Sequence, residues 1–286
     1  MKSKNMIAAF SLLLFSALNQ VALAQTLNDK LNEQVLMVPA GNGVQLETTI
    51  FKPAGPGPFP LLIMNHGKSP GNPHFQPRAR YPVISKEFVK RGYAVVIPMR
   101  TGFAQSGGTY VNAACNMIGN GLSQAEDVRA VLDYVLAQPW ADKERIVIAG
   151  QSHGGLSTIA FGASNFPGVK GLINFAGGLR EKDCQWQSAL VDAFGHFGGQ
   201  TKVPSIWFYG ANDAHFNPEL AAKMYAAYTA AGAQARLIAY GPFKKDAHSM
   251  SSSADGIVIW LPETENFLQS IGMPTAIRDP AIDSAE

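Results

Sequence analysis

The sequence is poor in charged residues and has almost no net charge. Charged residues make up 15% of the 286 residues, while hydrophobic residues make up 47%. This composition excludes a disordered chain and indicates a globular protein with a large core. The formal net charge is +2, and Lys2 and Lys4 account for the surplus, since the rest of the chain has 21 basic and 21 acidic residues. Nothing in the charge therefore points to nucleic acid or to an anionic membrane surface as a partner.

Beyond the N-terminus the sequence lacks any apolar run long enough to span a bilayer. At the N-terminus, Lys2 and Lys4 precede the apolar stretch MIAAFSLLLFSAL, and Ala22-Leu23-Ala24 ends the segment in an A-x-A pattern. This order predicts a signal peptide, residues 1–24, that is cleaved after Ala24. A membrane anchor is the alternative, but the run is shorter than the ~20 residues of a spanning helix. We expect a secreted or periplasmic protein with no membrane anchor after cleavage.

Cysteine is nearly absent, with only Cys115 and Cys184 in the chain. Two cysteines this far apart, without closely spaced partners, do not form a zinc site, and no metal is expected. In an oxidising compartment a pair of thiols tends to form a disulfide. Two separate buried thiols are the alternative.

The order of apolar segments predicts the fold class. Buried strands such as FPLLIMNHG, YAVVIPM, RIVIAG, GLINFAG and SIWFYG alternate with segments of helical periodicity such as SQAEDVRAVLDYVLAQ. Strands that are apolar throughout are typical of a mostly parallel sheet with helices on both faces. EQVLMVP and VQLETTIFKP add an antiparallel pair. Helices are expected near 78–91, from Ser123, at about 153–165, over NPELAAKMYAAYTAAG and near 262–271. We predict an α/β fold with an eight-stranded sheet over residues 25–271 and a flexible tail over 272–286.

The segment GQSHGG places Ser152 between the strand RIVIAG and an apolar helix. Gly150 and Gly154 flank the serine at a spacing that permits a sharp turn from strand to helix. Such a turn exposes the serine hydroxyl at the carboxyl end of the sheet, beside the N-terminus of the helix. The motif alone is weak, because a glycine-rich turn is the alternative. Its position between a buried strand and a helix predicts a nucleophile.

A serine nucleophile needs a base and an acid that orients the base. On this fold the chain order is serine, acid, histidine. Asp213 follows the strand SIWFYG, at the carboxyl end of the sheet. The competing acids are Asp183, Asp192 and Asp246, and Asp213 could instead cap the helix that follows it.

His248, in the loop after the last strand, is the predicted base. His153 is adjacent to the serine and its side chain must point elsewhere. His215 lies two residues past the acid, where the geometry disfavours it as the partner. The remaining histidines lie upstream of the serine, at His66 and His74, or before the seventh strand, at His196.

The developing oxyanion needs two backbone N–H donors. One should be that of His153, the residue after the nucleophile. The other should be that of Lys68, which follows Gly67 in the loop after LLIMNHG. In this loop we expect the backbone, and not the imidazole of His66, to stabilise the oxyanion. Losing one such donor typically costs roughly 3–4 kcal/mol of transition-state stabilisation.

These segments together resemble the α/β-hydrolase superfamily. NHG, GQSHGG, YGANDAHF and DAHSM are similar to its oxyanion, nucleophile, acid and base segments. RGYAVVIPMRTGFAQSGG resembles the prolyl-oligopeptidase-like and dienelactone-hydrolase-like branches. Dienelactone hydrolases have a cysteine nucleophile where this sequence has Ser152, and the propeller domain of prolyl oligopeptidases is absent.

Two loops are expected to rise over the carboxyl end of the sheet beside Ser152. The loop after the fourth strand carries Phe103 and Tyr110, and the loop after the sixth carries Trp186. With Gly67, these are the candidate substrate-binding residues. Cys115 lies in the first loop and Cys184 in the second, which favours the disulfide. Only about 28 residues separate the sixth and seventh strands, too few for a large cap.

Arg78 and Arg80 follow the predicted oxyanion loop. They could bind a substrate carboxylate, and solvated helix residues are the alternative. The function predicted is a secreted serine hydrolase that cleaves a carboxylic ester through an acyl-enzyme, without cofactor, acting on a small-molecule ester or a short peptide. A peptidase or amidase of the prolyl-oligopeptidase-like type and a non-catalytic hydrolase-like binding protein are the alternatives.

Overall fold

The computed structural model of the protein describes residues 27–284. The predicted signal peptide, residues 1–24, lies outside the described residues. Within the described residues, eight strands form one sheet, and six α-helices flank it. The strands are β1 (Gln34–Pro39), β2 (Gln45–Phe51), β3 (Phe59–Asn65), β4 (Ala94–Pro98), β5 (Ala141–Gln151), β6 (Val169–Phe175), β7 (Ser205–Gly210) and β8 (Ala235–Tyr240). The helices are α1 (Pro82–Lys90), α2 (Met117–Leu136), α3 (His153–Gly162), α4 (Trp186–Gly198), α5 (Pro218–Ala230) and α6 (Ile257–Ser270).

The strand order is β1-β2-β4-β3-β5-β6-β7-β8. β1 and β2 pair antiparallel, β2 pairs antiparallel with β4, and every later pair is parallel. This arrangement confirms the predicted α/β-hydrolase fold with its mostly parallel eight-stranded sheet. Because the parallel strands run in one direction, their carboxyl ends meet at a single edge, where β3, β5, β7 and β8 each lead into a loop of the site.

The core has one layer on each face of the sheet. Along β3, Leu61 and Ile63 face a cluster with α2, α3, α4 and α5, while Leu62 and Met64 face a cluster with α1 and α6. All four side chains are fully buried. Burial on both faces explains why the strand sequence is apolar without alternation. Over the part of the chain that the structure describes, no helix is long and apolar enough to cross a membrane.

Two helices differ from the sequence prediction because of glycines. α2 begins at Met117, six residues before the predicted start at Ser123, and the Asn116 side chain caps it by accepting from Gly119 N (2.8 Å). α4 was expected to be a loop. Glycines are weak helix formers, but here they permit close packing: a Cβ on Gly198 would collide with the backbone of Tyr228 on α5. Tertiary contacts therefore override the local propensity.

The described part of the C-terminal segment, residues 272–284, packs on the fold, whereas the sequence predicts a flexible tail over 272–286. Met273 and Ile282 are buried in the cluster with α1 and α6. Tyr93 donates its hydroxyl to Pro274 O (2.7 Å), and Arg278 N donates to Lys90 O (2.9 Å). The apolar residues are too widely spaced to give a periodic pattern, so the sequence alone does not reveal this packing.

Candidate active site

Ser152 lies at the turn between β5 and α3. Its backbone has φ 57° and ψ −124°, a conformation that is strained for any residue with a side chain. The turn closes because Gly150 and Gly154 have no side chains: a Cβ on Gly150 would collide with the Gly154 carbonyl, and one on Gly154 with the Asn65 carbonyl. Ser152 N donates to Phe175 O on β6 (3.0 Å). The residues 150–154 therefore form the predicted elbow, held by the neighbouring strands.

Asp213 and His248 are brought together from the loops after β7 and β8. The Nδ1 atom of His248 lies 3.0 Å from Asp213 Oδ2, and the Asp213 side chain is 0% exposed. The other carboxylate oxygen, Oδ1, accepts from His215 N (2.8 Å) and Phe216 N (2.9 Å). The carboxylate is thus fixed by backbone donors. With Nδ1 donating to the carboxylate, Nε2 of His248 remains the acceptor that a general base needs.

Asp246, one of the competing acids, contacts backbone rather than the imidazole. Its Oδ1 accepts from His248 N (2.9 Å) and Ala214 N (3.1 Å). Burial alone would raise the pKa of Asp246, but these backbone hydrogen bonds hold the pKa below its ordinary value. Asp246 therefore joins the base loop to the acid loop, while Gln151 Nε2 donates to His248 O (3.3 Å) and joins the base loop to the elbow.

Ser152 and His248 line one cavity of about 410 Å³. Gly67, Lys68, Tyr81, Gln151 and His215 are among the other residues that line it. The volume lies within the usual range for small-molecule sites. Over residues 27–284, no group of three or more His, Cys, Asp or Glu side chains has an arrangement that could hold a metal ion.

The loop that follows β3, residues 66–69, packs directly on the elbow. A Cβ on Gly67 would lie 3.3 Å from the Ser152 Cβ, so a glycine permits this approach. Gly67 N donates to the Tyr81 hydroxyl (3.1 Å), whereas Lys68 follows it in the cavity wall. His153 is the first residue of α3, and the first N–H groups of a helix have no intrahelical acceptor. Both predicted oxyanion residues therefore stand beside Ser152.

Arg100 holds this loop from inside the protein. It is fully buried, and its Nη2 donates to His66 O (2.6 Å) while its Nε donates to Gln124 Oε1 (2.6 Å). Burial lowers the pKa of Arg100 to about 10, so it stays charged at neutral pH. The His66 ring accepts from Arg100 N at Nε2 (3.2 Å) and lies 2.7 Å from Gly67 O at Nδ1. Burial, with the charge of Arg100, puts the pKa of His66 well below its usual range.

The positions of His153, His215, His74 and His196 do not suit the role of base. The His153 ring is buried, neither of its nitrogens has a hydrogen-bond partner among the described residues, and burial puts its pKa well below the usual range. The His215 ring contacts that of His248 at a tilt of 36°, with ring centroids 4.3 Å apart, and burial followed by the charge of His248 lowers the pKa of His215. His74 and His196 are exposed and do not line the cavity.

The aromatic residues predicted to bind substrate lie behind or beside the cavity. Phe103 is 0% exposed, with its ring between those of His66 (4.6 Å) and Tyr110 (5.2 Å), so it supports the loop after β3 instead of facing a ligand. Tyr110 is half-buried against His153. Trp186 begins α4 and packs against Phe216. Of the four candidates, only Gly67 lines the cavity with Ser152.

The predicted disulfide is present in the structure, joining Cys115 and Cys184 with a Cα–Cα distance of 6.3 Å. It links the segment before α2 to the segment before α4. The two loops that the sequence places over the carboxyl end of the sheet are therefore tied to each other.

Tyr81 and Gln151 also line the cavity, although the sequence predicts no role for either. The Tyr81 hydroxyl accepts from Gly67 N and lies 3.4 Å from Gln151 Oε1. No motif marks Tyr81, because its position depends on how the segment 70–82 folds back over the elbow. Gln151 could have been found, since it occupies the variable position before the nucleophile in G-x-S-x-G.

Comparison with protein families gives one match, which covers the N-terminal part of this site. The model described as X-Pro dipeptidyl-peptidase (S15 family) matches residues 42–193, more than half of the chain. The matched region contains Lys68 and Ser152, whereas Asp213 and His248 follow it. The chain is also similar to the cocaine esterase of Rhodococcus sp. (strain MB1 Bresler), with 26% identity over 145 residues. That alignment covers 48% of this chain and only 22% of the esterase.

Solved structures with the same fold are esterases, peptidases and a dienelactone hydrolase. The esterase Pf2001 of Pyrococcus furiosus has a TM-score of 0.63 at 17% identity, over 87% of this chain and 94% of that one. A protein assigned as a dienelactone hydrolase from Klebsiella pneumoniae has a TM-score of 0.59 at 18% identity, over 84% and 98%. The acylaminoacyl peptidase of Pyrococcus horikoshii has a TM-score of 0.61 at 15% identity, over 88% and 43%. The expected resemblance is confirmed at the level of fold.

Proposed function

The chain belongs to the X-Pro dipeptidyl-peptidase (S15) family, and from this premise we propose that it is a serine hydrolase that cleaves carboxylic esters through Ser152, His248 and Asp213. Its relatives make it a hydrolase of the esterase and peptidase type. The observation that carries the proposal is the contact between buried Asp213 and His248, 3.0 Å apart, with His248 in the wall of a cavity that Ser152 also lines from its strained elbow.

The proposed reaction has two steps. Ser152 Oγ attacks the ester carbonyl while His248 Nε2 takes the hydroxyl proton, and Asp213 stabilises the imidazolium. The N–H groups of His153 and Lys68 donate to the tetrahedral oxyanion. His248 then gives its proton to the departing alcohol, leaving an acyl-serine. A water that His248 deprotonates attacks this acyl group, and the acid is released with Ser152 restored.

A peptidase is the second candidate, because the family model describes enzymes that remove dipeptides. A dipeptidyl-peptidase must hold the ammonium group at the substrate N-terminus, and a carboxylate is the side chain suited to this. Among the described residues that line the cavity there is no Asp or Glu. This favours an ester over a peptide with a free N-terminus.

The test combines a nucleophile variant with a substrate panel. We expect Ser152→Ala to abolish hydrolysis of 4-nitrophenyl acetate and labelling by a fluorophosphonate probe. Ser164→Ala, an exposed serine just after α3, should leave both unchanged. Esterase activity retained by Ser152→Ala would disprove the assignment of the nucleophile. Faster turnover of X-Pro anilides than of esters would favour the peptidase, and an unlabelled native protein without turnover would favour a binding protein.

We also propose that the protein is exported and cleaved after Ala24. The Cys115–Cys184 disulfide supports this, because disulfides persist in oxidising compartments. N-terminal sequencing of the mature protein from its native cells should begin at Gln25. A mature chain that begins at Met1 would contradict the proposal.

A further inference from the structure

The cavity that contains Ser152 has a cationic wall. Lys68, Arg78 and Arg80 line it, and no acidic residue of the described chain does. Arg78 and Arg80 belong to the segment 70–82, which folds back so that Tyr81 contacts Gly67 and Gln151 beside the elbow. Arg78 and Arg80 therefore line the same cavity as the nucleophile.

Glu33 fixes the two arginines from behind the wall. Its side chain is 0% exposed, Arg78 Nη1 donates to Oε1 (2.8 Å), and Arg80 Nη2 donates to Oε2. The same Oε2 accepts from Asn28 N (2.7 Å). Burial alone would raise the pKa of Glu33, but the hydrogen bonds from Arg80, Arg78 and Asn28 outweigh it and hold the pKa below its usual value. Glu33 is thus an ionised anchor that preorganises the arginines without entering the cavity.

Arg80 retains donors for a ligand. Its side-chain hydrogen bond within the described residues uses Nη2 alone, and 25% of the side chain is exposed. Lys68 has no carboxylate within ion-pair distance in residues 27–284, and its Nζ lies 5.6 Å from the centre of the Tyr110 ring. Because the Lys68 backbone is also the proposed oxyanion donor, its side chain starts at the reaction centre. Arg80, which is ion-paired with Glu33 on one side, and Lys68 therefore add positive charge to a cavity that no described acidic residue lines.

We infer that the substrate is an ester that also carries an ionised carboxyl group, and that Arg80 and Lys68 bind this carboxylate. The inference rests on the proposed esterase function and names the substrate class of the same site. Glu33 holds the Arg80 guanidinium on one side. The remaining N–H donors of this planar group match the geometry of a carboxylate ligand. Because no acidic residue of the described chain lines the cavity, a cationic substrate would be repelled by the surplus of positive charge. An adjacent cationic wall therefore selects an anionic ester.

The first experiment compares esters matched in size and differing in charge. The first set varies the charge on the acyl side: mono-4-nitrophenyl adipate is anionic, 4-nitrophenyl hexanoate is neutral, and the 4-nitrophenyl ester of 5-trimethylammoniopentanoate is cationic. The second set varies the charge on the alcohol side: 4-acetoxybenzoate is anionic and 4-acetoxybenzamide is neutral. After subtraction of spontaneous hydrolysis, we expect kcat/KM for the anionic ester to exceed that for the neutral one by about tenfold or more in at least one set. The preference should fall as salt is added. A preference for the neutral or cationic ester in both sets would overturn the inference.

The second experiment asks whether Arg80 produces the preference. Arg80→Gln retains a hydrogen-bond donor for Glu33 and removes the charge, so the anionic-to-neutral ratio of kcat/KM should fall about tenfold. Arg129→Gln, an exposed arginine on α2, should keep the ratio. An unchanged ratio in Arg80→Gln would overturn the role of Arg80, and Lys68→Gln provides the same measurement if Arg80→Gln does not fold. Esterase activity without an anionic preference defeats this inference alone, whereas activity in Ser152→Ala defeats the proposed function.

Discussion

Arg100 is a buried charge whose hydrogen bonds lead to the proposed oxyanion hole. It donates to the carbonyl of His66, two residues before Lys68, and its Nε is satisfied by Gln124. The backbone after His66 is therefore fixed by a charge-assisted hydrogen bond, which is stronger than one between neutral groups. We interpret Arg100 as a positioning residue that acts through the loop 66–69.

We predict that Arg100→Met lowers kcat for ester hydrolysis by about tenfold or more with little change in KM. The physical reason is that a misplaced oxyanion donor weakens binding of the transition state but not of the ground state. Steady-state kinetics would check this, with circular dichroism to show that the variant is folded. Arg100→Lys, which can still reach one acceptor, should recover part of kcat. A change confined to KM would contradict the positioning role.

The buried His153 ring leads to a prediction about how the stability of the fold depends on pH. Its folded-state pKa, like that of His66, lies well below the ordinary value of 6.5. Below about pH 6.5 the unfolded chain binds protons that the folded chain does not. The stability that depends on these neutral rings is therefore fully present above that pH and is lost as the pH falls toward the folded-state values.

His153→Phe should raise Tm and flatten its decline between about pH 7 and about pH 5. The phenyl ring removes two buried nitrogens that have no partner among the described residues, and it no longer takes up a proton on unfolding. Thermal unfolding at a series of pH values measures both effects. His74→Phe, at an exposed position, should alter neither. An unchanged pH dependence of Tm in His153→Phe would contradict the lowered pKa of His153 in the folded protein.

At the scale of elements, prediction succeeded where a local pattern determines the structure. The strands β3, β4, β6 and β7 and the second half of β5 are confirmed because each is a short, mostly apolar run that is buried on both faces. α4 was missed, although Leu190, Ala193, Phe194 and Phe197 follow helical spacing and are buried. Its glycines argued against a helix locally. Their benefit, close contact with α5, exists only after the two helices have packed.

The C-terminal segment gives a prediction at this scale. Deleting residues 272–286 should lower Tm by several degrees, because it exposes the pocket that Met273 and Ile282 fill and removes the hydrogen bond from Tyr93 to Pro274. Calorimetry of the full chain and the truncated chain would measure this. A deletion of residues 1–24 alone is the matched control for shortening. An unchanged Tm would support the flexible tail that the sequence suggested.

At the scale of the whole molecule, the sheet topology assembles the site. Lys68 follows β3, Ser152 follows β5, Asp213 follows β7 and His248 follows β8. All four loops leave from the carboxyl edge, so residues up to 180 positions apart meet in one cavity. Between β6 and β7 the chain forms only α4, and no large cap covers this edge over the residues described.

The open edge predicts the kinetics on poorly soluble esters. Since no cap must move aside, the rate on a short-chain ester should follow simple saturation through the solubility limit of the substrate. Initial rates measured across that limit would test this, with a lipase that is activated at interfaces as the comparison. A sudden rise in rate at the limit would indicate a lid that opens on contact with aggregated substrate.

The sequence by itself determined the sheet, the elbow and the candidate residues Ser152, Asp213 and His248, because strand burial, glycine spacing and chain order are local or ordinal properties. Only the tertiary structure decided which side chains share the cavity. In the structure Phe103 lies in the interior, Tyr81 lines the cavity, and Arg80 in the cavity wall forms an ion pair with Glu33. Those outcomes depend on how the segment 70–82 and the N-terminal residues pack across the sheet. Long-range packing of this kind does not produce a periodic pattern of residues in the sequence.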